Sequence, residues 1–271
     1  MSDRYCVIGN PIAHSKSPQI HAAYAQQTGQ DLRYERCLAP VDGFEATVRR
    51  LVAEGYRGAN VTLPFKLEAA RLATRLAPRA EAAGAVNTLI FSGGEIVGDN
   101  TDGPGLVADI VRNAGVALAG KRILLLGAGG AARGALLPLL TENPRQIVIA
   151  NRTVATAERL VADFAVHADR LAVSGFADVE GSFDVVINAT SASLAADVPP
   201  VPAAVFGPGV LALDMMYGKE PTVFMDFAAS HGASVRDGLG MLVEQAAEAF
   251  LLWRGVRPDT GAVLATMRQA G

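Results

Sequence analysis

The chain has 271 residues, half of them hydrophobic, and a formal net charge of −3 at pH 7. That length fits two packed domains. The small charge, free of like-charged blocks, excludes a nucleic-acid binder, and no apolar run is long and uninterrupted enough to span a bilayer. The two cysteines, Cys6 and Cys37, form no CxxC pair; they read as buried free thiols in a reducing compartment. The start, MSDRYCVIGNP, has no apolar signal region, so a soluble cytoplasmic protein is the expectation.

Short β-rich runs alternate with longer helical ones, which argues for α/β layers. Strands are expected at residues 5–9, 32–38 and 58–61. Pro18 suits the first position of a helix after the first strand, with Ser17 as its cap. Strands at 88–91 and 96–98 should form a hairpin around Gly93-Gly94. A helix from about Thr101 or Asp102 to Asn113 and a polar turn at 113–121 follow. The second unit then reads as a strand at 122–126, a glycine-rich turn, a helix at 131–140 and a strand at 146–151. A helix at about 156–164 and strands at 183–187 and 210–214 complete it. Residues 191–202, SASLAADVPPVP, are rich in Pro and Ala and read as a surface loop. The tail from Gly240 reads as two helices broken at 255–258, with Met241 and Trp253 on the helical pattern and Trp253 in the core.

Gly127, Gly129 and Ala132 match G-x-G-x-x-A between the strand LLL and a helical run. Small residues there permit a tight turn and close approach to a pyrophosphate, which the helix N-terminus faces. An NAD site of this kind has an acid at the end of the next strand, on the ribose hydroxyls. Here that strand ends IVIANRT. Arg152 offers a planar charged fork suited to a 2′-phosphate, and Asn151 and Thr153 add uncharged hydrogen bonds, so the strand end favours NADP.

The first hundred residues carry dense polar groups at strand ends. GNPIAHSKSP supplies Ser15 and Ser17; ANVTLPFK supplies Thr62 and Lys66; GAVNT and DNTDG supply Asn87, Asn100, Thr101 and Asp102. Hydroxyls, amides, one Lys and one Asp suit a small, polyhydroxylated, anionic substrate. A carbonyl reduced by hydride needs a proton at its oxygen, and a Lys–Asp pair can supply it. Asp102 taken alone reads better as the cap of the next helix. His14 and His21 stand seven apart without a carboxylate cluster and read as no metal site. His167 and His231 fall in surface segments.

The motifs GNPIAHSKSP, NVTLPFK, GAVNT, DNTDG, GAGGAAR, NRT, NATS, DMMY and DGLGMLVEQAAEAF run from residue 8 to about residue 258. In this order they resemble the shikimate dehydrogenase family over nearly the whole chain. The resemblance implies an α/β substrate domain (residues 1–104), a Rossmann-like NADP-binding domain (105–239) and C-terminal helices (240–271) returning to the first domain. It implies reversible reduction of 3-dehydroshikimate to shikimate by NADPH, by a monomer or homodimer. Lys66 and Asp102 match the family's catalytic pair. Ser15 and Ser17 match its substrate-carboxylate contacts, and Thr62, Asn87, Tyr217 and Gln245 its other substrate contacts. Gly127, Ala128, Gly129, Gly130, Ala131, Asn151, Arg152, Thr153, Thr190, Met215 and Gly238 match the cofactor side. The chain departs from the pattern at Ala77-Pro78, where an acid is frequent, and at Ala155, where a basic or polar residue is frequent; Arg159 is the next basic candidate. Two alternatives stand beside this reading. One is a quinate or quinate/shikimate dehydrogenase, relatives that tend to use NAD and to carry an acid near the place of Arg152. The other is a non-catalytic sensor that binds shikimate and NADP.

Overall fold

A computed structural model describes residues 2–269. The chain forms two compact units: residues 2–105 with Leu242–Gln269, and Leu106–Met241.

The first unit opens with β1 (Asp3–Gly9), α1 (Ser17–Thr28), β2 (Leu32–Leu38), α2 (Phe44–Ala53), β3 (Gly58–Val61) and α3 (Lys66–Leu72). It continues through β4 (Arg75–Leu76), α4 (Pro78–Ala83), β5 (Thr88–Ser92), β6 (Glu95–Asp99) and α5 (Asp102–Ala108). The sheet order is β2-β1-β3-β5-β6-β4. Strands β1, β2 and β3 run parallel, and β5 runs antiparallel to both β3 and β6. The β5–β6 hairpin closes through Gly93 and Gly94, with φ of 59° and 83°. Two consecutive positive φ values are what a two-residue turn matching strand twist requires, and glycine meets them without strain. The ends of β1, β3 and β6 and the start of β5 therefore share one edge of the sheet. Beneath it, Ile8, Phe44, Leu51, Val61, Phe65, Val86 and Leu89 form the core.

The second unit contains β7 (Arg122–Leu126), α6 (Gly130–Thr141), β8 (Gln146–Ala150), α7 (Val154–Asp163) and β9 (Leu171–Ser174). It ends with β10 (Val185–Asn188), β11 (Leu211–Asp214), α8 (Val223–Ser230) and β12 (Ser234–Arg236). All six strands are parallel, in the order β12-β11-β10-β7-β8-β9. Counted from β7, this is the doubly wound order 3-2-1-4-5-6, whose reversal between β7 and β10 opens a crevice at the strand C-termini. The four inner strands β7, β8, β10 and β11 are buried on both faces and read as near-continuous apolar runs such as ILLL. The chain returns to the first unit through α9 (Leu239–Arg254) and α10 (Gly261–Gln269), separated at Gly255 with φ of 70°.

Several expectations need correction. Pro18 is the second residue of α1, not the first; Ser17 lies inside the helix and its backbone N–H donates to the Ser15 hydroxyl (3.3 Å). The helix expected to reach Asn113 widens into a π-turn over Asp109–Asn113, where the buried Asp109 carboxylate takes the Arg236 guanidinium at 2.7 Å. Segment 191–202 is not wholly surface, since Val201 is buried in the second core. Trp253 is half-buried at the rim of its core, stacked on Tyr5 at 4.6 Å and donating its indole N–H to the Leu89 carbonyl. Cys37 is half-buried where full burial was expected; Cys6 is buried, and both are free. Among the described residues no helix is long and apolar enough to cross a membrane.

Candidate functional site

Lys66 is the first residue of α3, one tight turn beyond β3. Phe65 anchors that turn, fully buried and stacked on Phe44 at 4.9 Å. Asp102 opens α5 just after β6. Both strands end on the same sheet edge, so both side chains meet: Lys66 Nζ donates to Asp102 Oδ2 at 2.6 Å. The other carboxylate oxygen, Oδ1, accepts from Asn87 Nδ2 at 2.8 Å. The carboxylate thus serves Lys66 and Asn87; the backbone N–H of Asp102 instead donates to the Asn100 side chain at 3.1 Å. The reading of Asp102 as a simple cap gives way to the pair.

Asn87, at the mouth of β5, is buried. Besides Asp102, its Nδ2 has Thr101 Oγ1 and Gln245 Oε1 in reach, at 2.9 and 3.2 Å, so its two N–H groups are shared among three acceptors. Gln245 comes from α9 and holds its orientation by donating to the Leu242 carbonyl at 2.9 Å. Lys66, Asp102, Asn87 and Gln245, singled out from four separate motifs, therefore form one bonded cluster. Ser15 lies in the turn after β1, and Ser17 opens α1 directly after it. Arg36 on β2 clamps that turn by donating from Nη2 to the Ser15 carbonyl at 2.6 Å. Thr62 donates its backbone N–H to Ile8 at 2.9 Å, which ties the β3 turn to the end of β1. Residues that carry this arrangement without a role assigned from the sequence are Tyr34, Asn60 and Thr88. Tyr34 donates to Asn60 Oδ1 at 2.6 Å, and Asn60 Nδ2 donates to Thr88 Oγ1 at 3.1 Å. Burial raises the Tyr34 phenol well above its usual pKa. His21 is fully buried and stacked on Tyr34 at 4.1 Å. Burial pushes its pKa down to about 3, against a smaller opposing pull from the Asn60 side chain beside the ring.

In the second unit, Gly127 has φ of 101°, a conformation that favours glycine, and a side chain there would press on Thr190 and the Ala189 carbonyl. Gly129 and Gly130 face open space, and α6 begins with no side-chain cap. Exposed backbone N–H groups at a helix start, with no Cβ over them, suit a pyrophosphate. Across the β7–β10 crevice the loop after β10 is set by Asn188, whose Oδ1 accepts the Thr190 hydroxyl at 2.7 Å. The buried Asp214 carboxylate gathers Ser193 Oγ, Thr222 Oγ1 and the Met216 N–H at 2.5, 2.7 and 3.0 Å. Gly238 donates its N–H to the Met216 carbonyl, and a Cβ on it would collide with the Met215 backbone. Thr190, Met215 and Gly238 are thereby assembled around Asn188 and Asp214, two buried residues whose part the sequence did not reveal. After β8, Asn151 Nδ2 donates to the Thr153 carbonyl at 2.9 Å. Arg152 is exposed with no ion pair among the described residues. The donor set therefore fits NADP: no carboxylate stands in Asn151-Arg152-Thr153, and the one cation there is uncommitted. Tyr217 belongs to this second unit, beyond β11, and burial raises its phenol above the ordinary value. Arg159 turns to Thr156 at 3.3 Å, and beside Ala77-Pro78 the Arg79 side chain forms a fork with Asp99 at 2.7 and 2.9 Å.

Comparison with family models gives the shikimate dehydrogenase family. The model for the shikimate dehydrogenase substrate binding domain matches residues 7–89. That for shikimate / quinate 5-dehydrogenase matches 109–196, and that for the shikimate 5′-dehydrogenase C-terminal domain matches 238–268. The shikimate dehydrogenase (NADP(+)) of Herminiimonas arsenicoxydans is 66% identical over 99% of this chain and 98% of its own length. Among solved structures, an Ael1 enzyme from Pseudomonas putida is 52% identical with a TM-score of 0.94, covering 98% of each chain. The shikimate 5-dehydrogenase of Thermus thermophilus, in complex with NADP(H) and shikimate, is 32% identical with a TM-score of 0.87, over 99% of this chain and 100% of that one.

Proposed function

The chain belongs to the shikimate dehydrogenase family, and from that premise we propose that it catalyses the reversible NADPH-dependent reduction of 3-dehydroshikimate to shikimate. The observation that carries this reading is the Lys66–Asp102 pair at 2.6 Å, with Asn87 on the second carboxylate oxygen. The cofactor, when bound, supplies or accepts the hydride. Lys66 Nζ gives a proton to the carbonyl oxygen as it becomes an alkoxide, and takes it back from the shikimate hydroxyl in oxidation. Asp102 anchors that ammonium and accepts a hydrogen bond from a neighbouring substrate hydroxyl, which fixes the ring before the proton moves. Asn87, Thr62 and Gln245 pair the remaining ring hydroxyls. Ser15 and Ser17 bind the substrate carboxylate through their hydroxyls, at the turn that Arg36 clamps. Tyr217 contributes a further substrate contact from the second unit.

On the cofactor side, Gly127, Ala128, Gly129, Gly130 and Ala131 hold the pyrophosphate through backbone N–H groups. Arg152 binds the 2′-phosphate, with Asn151 and Thr153 beside it. Thr190, Met215 and Gly238 complete the cofactor side. This reading makes the protein a cytoplasmic enzyme of the route to chorismate and the aromatic amino acids. Initial rates with shikimate and quinate, each against NADP+ and NAD+, test it. Shikimate with NADP+ is expected to dominate. A preference for quinate or NAD+ points to the quinate branch, and binding without turnover points to a sensor.

A further inference from the structure

Asn87 presents two chemically opposite ends, and which one faces Asp102 decides whether the carboxylate is bonded or repelled. A backbone donor settles the orientation: the Thr101 N–H donates to Asn87 Oδ1 at 2.8 Å. Thr88, fully buried and next along β5, adds its hydroxyl to the same oxygen at 2.9 Å. Asn60 Nδ2 donates to one Thr88 lone pair at 3.1 Å. Of the two oxygens in reach of the Thr88 O–H, Asn87 Oδ1 at 2.9 Å is nearer than Thr101 Oγ1 at 3.2 Å. Thr101 Oγ1 itself reaches Asn87 Oδ1 at 3.1 Å. Asn60 is fixed in turn by the Tyr34 O–H on its Oδ1 at 2.6 Å and by its own donation to the Asn87 carbonyl at 3.2 Å. Every link has the same polarity: Tyr34 to Asn60, Asn60 to Thr88, Thr88 to Asn87, Asn87 to Asp102. Bonds aligned head to tail polarise one another in the same sense, and the accumulated positive end rests on the Asp102 carboxylate.

We propose that Thr88 is a positioning residue of this site: with Asn60 and Tyr34 it forms a one-directional hydrogen-bond relay that turns the amino end of Asn87 onto Asp102 and keeps that carboxylate an acceptor for a substrate hydroxyl. The relay rests on the functional reading above only for its catalytic consequence. Its geometry is independent of that reading. Thr88 touches neither Lys66 nor Asp102; it reaches the pair through Asn87, directly at 2.9 Å and by way of Thr101 Oγ1 at 3.2 Å.

The test compares Thr88→Val, which keeps the shape and removes the hydroxyl, with Thr88→Ser, which keeps the hydroxyl and removes a methyl. In the full-length protein, Thr88→Val lowers kcat/KM for shikimate about five- to twenty-fold, the effect of one buried hydrogen bond, while KM for NADP+ stays at its wild-type value. Thr88→Ser restores kcat/KM to near the wild-type value. Equal losses in both variants, or a parallel loss for NADP+, reduce Thr88 to packing and overturn the proposal. Tyr34→Phe keeps the ring on His21 and removes the hydroxyl that donates to Asn60 and also meets the Ser17 side chain; it is expected to lower the same ratio about two- to five-fold, and an unchanged ratio overturns the relay. The relay also has a readout apart from catalysis. The Asn87 side-chain amide protons are slow to exchange with solvent in wild type and fast in Thr88→Val. Protected amide protons in a wild-type protein that turns over no shikimate sink the functional reading and keep the relay. Unprotected amide protons in an active enzyme do the reverse.

Discussion

Replacing Asp102 by asparagine keeps the shape of the side chain and makes one of its two contacts impossible. In the native site Oδ2 accepts from the Lys66 ammonium at 2.6 Å and Oδ1 from Asn87 Nδ2 at 2.8 Å. Both partners are donors. An asparagine at 102 has one oxygen and one NH2 group, so whichever way it turns, a donor faces a donor. The pair is about one quarter exposed, with side-chain accessibilities of 30% for Lys66 and 24% for Asp102, so water screens the conflict only in part. Hydrogen bonds to charged groups are worth about 1.5–3 kcal/mol, which corresponds to roughly a ten- to hundredfold loss in kcat/KM. The assay is steady-state oxidation of shikimate at saturating NADP+, with shikimate affinity measured separately by thermal-shift titration. Asp102→Asn is expected to lose both turnover and substrate affinity and to bind NADP+ as wild type does. A variant within about twofold of wild type in kcat/KM, well inside the effect of one charged bond, would refute the assignment of Asp102 to the reacting site.

Arg152→Ala is expected to raise KM for NADP+ by about one to two orders of magnitude and to change KM for NAD+ little; an equal loss for both cofactors would show that Arg152 does not face the 2′-phosphate. His21 sets an acid limit on stability. Its folded pKa is pushed down to about 3 from an ordinary value of 6.5, so between those pH values the unfolded chain binds a proton that the folded one does not. Stability is therefore fully present above about pH 6.5 and falls as pH drops toward 3, by up to about 1.4 kcal/mol per pH unit. His21→Phe, which preserves the stack on Tyr34, should flatten that part of a urea-denaturation pH series, and an unchanged slope would assign acid lability to other groups.

What the sequence made legible was local. The Gly93-Gly94 turn, the β7–loop–α6 start and the polar strand ends each depend on residues within a few positions of one another. Lys66 and Asp102 could be paired because each follows a strand in a recognisable motif. The rest depends on partners distant in the chain. β4 is two residues long and exists through its pairing with β6. The π-turn at Asp109 is tied to Arg236, 127 positions away. Asn60 and Thr88 stand in the motifs NVTLPFK and GAVNT but carried no assigned role there, Tyr34 stands in no motif, and their connection appears only when β2, β3 and β5 lie near one another in the sheet. Ser17 carried an N-cap signal, but Ser15 accepts its N–H and the helix starts one residue earlier than the proline suggested. Asn188 and Asp214 end apolar strands, where a polar residue reads as a simple stop; both are fully buried hubs that order the loops around Thr190 and Met215.

The central claim, that Lys66 delivers the proton in an NADP-dependent oxidoreduction of shikimate, is tested most directly by turnover and shikimate binding in Lys66→Met. Methionine keeps much of the lysine stem's volume and carries no proton to give. The account predicts that kcat for shikimate oxidation falls by about 10²–10⁴-fold, the usual contribution of a general acid–base group, while the dissociation constant for shikimate changes far less. Turnover near the wild-type value in Lys66→Met would contradict it, leaving Lys66 as a binding residue and assigning the proton to another donor.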